Sequence, residues 1–163
     1  MKIYSNVEEL KHELLCLGTK IKINDCVYKE LLNVIYSVQF DQNLLNSFIK
    51  PVSLADEVER NYLIENAIIA SEKIRFDENT RQVAFTNCYE NTNYGRCITT
   101  VNFFARNGLL FLNEYYRSQH LENLKYDNQT AMLLVKNVID NLSELNLCIG
   151  SITIFCANFH TSL

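Results

Sequence analysis

The chain has 163 residues, 48% hydrophobic, 21% charged and 11% aromatic, with one Pro and four Gly, which excludes a disordered, collagen-like or tail-bearing protein. Its net charge of −4 leaves no basic footprint for nucleic-acid backbones, so a nucleic-acid partner is not expected. No apolar stretch approaches the ~20 residues of a membrane span, and MKIYSNVEEL lacks the apolar core of a signal peptide, so the expectation is a cytoplasmic protein. One domain spanning residues 1–163 is the default for this length.

In chain order, Asn6 with Glu9 three residues on predicts a capped helix. Val7, Leu10, Leu14 and Leu15 form its stripe and Gly18 its stop. Val27, Leu31, Leu32, Ile35 and Tyr36 read as a second helix capped by Asn24 or Asp25. Residues 1–50 are therefore expected to be a helical extension. A short helix at 41–49 ends by Pro51, and Ser53 opens a longer one carrying Val58, Tyr62, Leu63, Ala67, Ile68 and Ile69.

From residue 74 the period changes, and Ile74, Phe76, Val83 and Phe85 around the turn-like Asp77-Glu78-Asn79 predict strands. Val101–Ala105 and Leu109–Tyr115 flank Asn107-Gly108, which predicts a hairpin. A helix over 128–145 and a densely apolar strand over about 148–156 follow. Helices, then strands, then one late helix indicate an α+β or mixed α/β fold, a sheet packed with helices and preceded by an N-terminal helical segment.

The six cysteines form no C-x-x-C pair and have no His at zinc-finger spacing, so no structural zinc is expected. Most are expected to be buried thiols. Three features stand apart. Cys97 opens a strand beside Arg96, a cation that would favour its thiolate, although a buried strand Cys is the plainer reading. Arg117-Ser118 ends the return strand, and a guanidinium fork with a hydroxyl suits a phosphate. Arg81 is delivered by a turn into a strand, where a surface ion pair is the ordinary alternative.

Together these features resemble the thymidylate synthase family, which includes the pyrimidine hydroxymethylases. Arg81, Cys97, Gly108, Arg117-Ser118 and Asn128 follow the family's order, without a gap from Cys97 to Asn128, and the likeness extends over a core at residues 54–160. The resemblance implies that Cys97 adds to C6 of a pyrimidine nucleoside monophosphate and that C5 then takes a methyl or hydroxymethyl group from a reduced folate. It implies Arg117 and Ser118 as the phosphate grip, Arg81 reaching across a homodimer to the partner's phosphate, and Asn128 as reader of the base. Asn102 falls where the family packs its dimer sheet. The departures are Gln82 for a second phosphate Arg, His120 for an Asp, Tyr116 for a Gln, Leu124 for a Gly, and Thr153 and Phe155 for the sugar-binding His and Tyr. The family's Trp-bearing segment has no counterpart, nor, past Leu163, does its closing tail.

Candidates for the acid/base role are His120, Tyr94 and Asp127, and Asp127 competes with Asn128 as base reader, because a carboxylate favours the amino group of cytosine. His12 and His160 read as surface or terminal residues. The implied function is pyrimidine nucleotide binding with one-carbon transfer. The alternative is a catalytically inactive dimeric module with a regulatory or protein-interaction role.

Overall fold

A computed structural model describes residues 2–49, 54–77, 79–80, 83–86 and 97–163. After β1 (Lys2–Tyr4), α1 (Val7–Leu17) starts where Asn6 Oδ1 accepts the Glu9 amide at 2.9 Å, while Glu9 Oε2 accepts the Ser5 amide at 3.0 Å. This is the expected cap, with the Glu reaching one residue further back. Leu10 and Leu14 bury its inner stripe. Gly18 ends it, since a Cβ there would lie 2.4 Å from the Leu14 carbonyl oxygen.

β2 (Thr19–Ile23) and β3 (Cys26–Val38) form a hairpin about Asn24-Asp25, with Asn24 at φ 54°. The helix expected over Val27–Tyr36 is thus a long strand, and residues 1–50 are not a helical extension. Asn33 explains the misleading spacing. Its left-handed backbone, φ 53°, interrupts the alternation, so that Leu31 and Val34, three apart, are both buried. Beyond it the period of two is plain in Val34, Tyr36 and Val38.

α2 (Gln42–Asn46) is capped by Asp41, whose Oδ1 accepts the Asn43 amide at 2.8 Å. In α3 (Leu54–Phe76), Leu63, Ala67, Ala70 and Ile74 are buried at helical spacing. Ile74 and Phe76 therefore belong to this helix rather than to a strand. β4 (Ala84–Thr86) pairs with β5 (Ile98–Arg106), and β5 with β6 (Leu109–Tyr116) across Asn107 at φ 53° and Gly108 at φ 75°. Positive φ at both central positions is what a twisted two-residue hairpin requires. β7 (Gln119–His120), a 3₁₀ turn at Leu121–Asn123 and α4 (Leu124–Asn141) follow, and β8 (Cys148–Ser162) closes the chain. α4 begins and ends four residues earlier than the expected 128–145, and β8 runs six residues past its expected end.

The eight strands make one mixed sheet in the order β1-β3-β8-β6-β5-β4, with β2 on β3 and β7 on β8. β6 and β8 are parallel, joined through α4. Val34, Tyr36, Phe103, Leu112 and Ile154 of the inner face bury against the apolar stripes of α3 and α4. The outer face keeps partly exposed aromatic pairs, Phe104 on Phe111 at 4.9 Å and Tyr115 on Phe155 at 4.7 Å. Thr153 and Phe155 alternate with the buried Ile152 and Ile154. Gly150 lies at a register shift, where a Cβ would come within 2.8 Å of the Phe111 ring.

All five described cysteines are thiols, but four are exposed and Cys156 alone among them is buried, contrary to expectation. Cys88 lies outside the described residues. Among the described residues, no helix is long and apolar enough to cross a membrane.

Candidate functional site

The β5–β6 hairpin, together with the bulge near its open end, places two of the expected residues side by side. Cys97 and Arg117 lie ten residues before Asn107 and nine after Gly108, and the Arg117 amide donates to the Cys97 carbonyl at 2.8 Å. A register shift between Ile98 and Thr100 follows at once, with Thr99 Oγ1 donating to the Tyr115 carbonyl at 2.9 Å. A bulge here re-aims the start of the strand. Cys97 is exposed. Cys156 is the contrast, for its burial pushes the thiol up to about 12 and leaves it inert.

Cys97, Arg117, Ser118, His120 and Asp127 line one pocket of about 260 Å³. Its other walls include Tyr116 of β6, Gln119 of β7, Glu59, Arg60 and Leu63 of α3, Tyr126 and Thr130 of α4, and His160 of β8. Arg60 braces the helices: its guanidinium lies 3.6 Å over the Tyr126 ring, Nε donates to Thr130 Oγ1 at 2.9 Å, and a terminal nitrogen donates to the Tyr126 carbonyl at 3.2 Å. That commits Arg60 to joining α3 and α4.

Asn128, implied as base reader, is not among the described residues lining this pocket. It is buried behind the wall in a polar chain that begins at Tyr36, whose hydroxyl donates to Gln119 Oε1 at 2.8 Å and lies 3.3 Å from Asn128 Oδ1. Gln119 Nε2 in turn donates to Asp127 Oδ2 at 2.9 Å. The side chain fixed on the pocket wall is therefore the Asp127 carboxylate. Deeper still is Glu114, fully buried, with Oε2 accepting the Tyr116 hydroxyl at 3.3 Å and Oε1 without a hydrogen-bond partner. Burial first, then the Asp127 charge, pushes its carboxyl up to about 8. Arg81 and Tyr94 lie outside the described residues.

The sequence reading missed Glu59, Arg60 and His160. Glu59 and Arg60 stand one turn before the buried Leu63, so the helical period of α3 carried the signal. His160 is corrected from a terminal residue to a pocket residue. Its strand runs six residues past the expected end, and register with β7 sets it beside His120. His12 remains on α1, with Nδ1 3.8 Å from the Cys16 sulfur.

Among solved structures the chain matches thymidylate synthase from T4 phage with a TM-score of 0.52 and 24% sequence identity, over 60% of this chain and 35% of that one. The fold is thymidylate-synthase-like. This chain thus spans about a third of the phage enzyme's length. No protein-family model and no curated protein matches it. Within that fold, the hairpin β5–β6 and the crossover through α4 bring sulfur, guanidinium and carboxylate to one opening.

Proposed function

We propose that the pocket binds a pyrimidine nucleoside monophosphate and that Cys97 adds to C6 of its base. The observation carrying this reading is the joint presence of Cys97, Arg117, Ser118 and Asp127 on one wall. Arg117 offers bidentate charge-assisted bonds to the phosphate and Ser118 a further donor. The Asp127 carboxylate, held by Gln119, accepts the exocyclic amino group of cytosine and faces only lone pairs at the corresponding carbonyl of uracil. Addition forms a C–S bond at C6 and leaves the electron pair at C5, which takes a proton. Loss of a C5 proton and expulsion of the thiolate restore the base, exchanging its C5 hydrogen. The Glu59 carboxylate on the same wall is the group assigned to that proton transfer.

A reduced folate is what the resemblance implies as one-carbon donor. The described pocket does not fit one beside a nucleotide: about 260 Å³ is at the small end of ligand sites, room for one small ligand and not for a second, and its two tyrosines are engaged by Arg60 and Glu114. No step here runs through folate.

Calorimetry with CMP, dCMP, UMP and dUMP tests the binding. The cytosine nucleotides should bind tighter, and Asp127→Asn should shift the preference toward uracil by roughly 10- to 100-fold, the worth of one hydrogen bond to a charged group. Failure of all four nucleotides to bind would remove the reading.

A second reading, the inactive dimeric module, is favoured by the outer sheet face. There Tyr115 and Phe155 lie beside Ile35, Phe104 stacks on Phe111, Leu32 is 57% exposed, and Thr153 and Phe155 offer no sugar grip at the pocket. A second copy meeting this face with its own matches the chemistry, since an isologous contact pairs apolar with apolar. Sedimentation should show twice the chain mass, reduced to the single mass by Phe155→Asp. A wild-type monomer at micromolar concentration would refute the dimer.

A further inference from the structure

We propose that His120 and His160 form a titratable half of the anion site beside Arg117 and Ser118, so that the pocket takes up a proton as it binds a dianionic phosphate monoester. This deepens the nucleotide reading and rests on its phosphate placement. His120 of β7 and His160 of β8 are register partners, their rings 5.0 Å apart and edge-to-face, and both line the pocket. His160 Nδ1 lies 3.3 Å from Ser118 Oγ. His120 Nδ1 accepts the Glu122 amide at 3.2 Å, which leaves its proton on Nε2, 3.3 Å from Ser162 Oγ.

The charge balance of the wall requires such a pair. Among the described lining residues, Arg60 and Arg117 are matched by Glu59 and Asp127, so with neutral imidazoles the wall has no net charge to meet a dianion. Arg60 is moreover occupied between α3 and α4. Imidazole is the side-chain type whose charge ordinarily changes near neutral pH, and this wall carries two. Burial, and next the neighbouring His120, hold His160 below the usual imidazole range, so it is neutral in the empty pocket. A dianion beside it reverses that balance.

The other groups facing the pair do not supply the charge. Glu122 stands 4.0 Å from His120 Nδ1 with its side chain 80% exposed to solvent. On the β3 side the Tyr28 ring packs edge-on to His160 at 6.1 Å, and Glu30 favours its charged form only weakly against burial. Cys97 adds no positive charge. Ser118, which lines the same pocket with its hydroxyl 3.3 Å from His160 Nδ1, couples the imidazole to whatever anion Arg117 holds.

Sulfate is the probe for the titration, because it stays a dianion from about pH 5.5 to 8 whereas a phosphate monoester gains a proton near pH 6. Calorimetry of the full chain in two buffers of different ionisation enthalpy should show uptake of close to one proton per sulfate at pH 7. Affinity should rise roughly tenfold for each pH unit lost until the pair is charged. His160→Gln should flatten that slope and cut the uptake, and His120→Gln should reduce it. The wild-type proton uptake stands by itself if either variant fails to fold. Sulfate that binds with no proton uptake, or that does not bind at all, overturns the inference. If CMP and dCMP bind without linked protons, the histidine site falls and the nucleotide reading stands. If sulfate binding is proton-linked and no pyrimidine nucleotide binds, the reverse holds.

Discussion

Glu114→Gln should gain about 3–5 kcal/mol of stability over the wild type between roughly pH 5 and pH 9. Glu114 is fully buried, and its folded carboxyl is pushed up to about 8 from an ordinary 4.5. Below the unfolded value both states hold the proton. Between the two values the unfolded chain releases it while the folded protein keeps it, so stability falls as pH rises. Above the folded value the loss is complete and the curve is flat. Gln preserves the shape and accepts from Tyr116, but never ionises. At pH 5 the variant should equal the wild type or fall slightly below it, since a buried amide leaves its own donors to satisfy. Urea unfolding at both pH values measures this, and parallel curves for the two proteins would contradict the assignment of a neutral buried acid. The same acid backs Tyr116 on the pocket wall, so the site's floor carries no formal charge at neutral pH.

Arg117→Ala should weaken binding of a cytidine monophosphate by roughly 30- to 1,000-fold, about 2–4 kcal/mol, and leave binding of the nucleoside without phosphate unchanged. The separation is expected because only the side chain is removed: the Arg117 amide still donates to the Cys97 carbonyl, so the thiol keeps its place. Competition binding with cytidine and its monophosphate reads the two affinities together. Equal losses for both ligands would mean that Arg117 holds the strand ends and not the phosphate.

What was legible in the sequence is what local chemistry decides. Asn6 and Glu9 fixed the start of α1, and Asn107-Gly108 fixed the hairpin turn; that turn alone would set Cys97 opposite Ser118, and the bulge between Ile98 and Thr100 brings Arg117 there instead. The strand at Cys26–Val38 was not legible, because left-handed Asn33 gives it a helix-like spacing of apolar residues and only pairing with β1, β2 and β8 reveals it. The base reader was open for a similar reason. Asp127 and Asn128 are neighbours, and which of them reaches the pocket depends on Gln119 and on Tyr36, the latter 92 residues in sequence from Asn128 on the helix it helps organise. His160 needed the register of β7 on β8, which no local pattern encodes.

Release of tritium from C5-labelled dCMP or CMP tests the central claim most directly, since exchange at C5 needs a reversible bond from the thiol to C6 and nothing from a one-carbon donor. The prediction is exchange by the wild type that Cys97→Ala abolishes and Glu59→Gln slows, with nucleotide affinity within a few-fold of wild type in the Cys97 variant. Bound nucleotide that keeps its label, or exchange that survives the loss of Cys97, would contradict it.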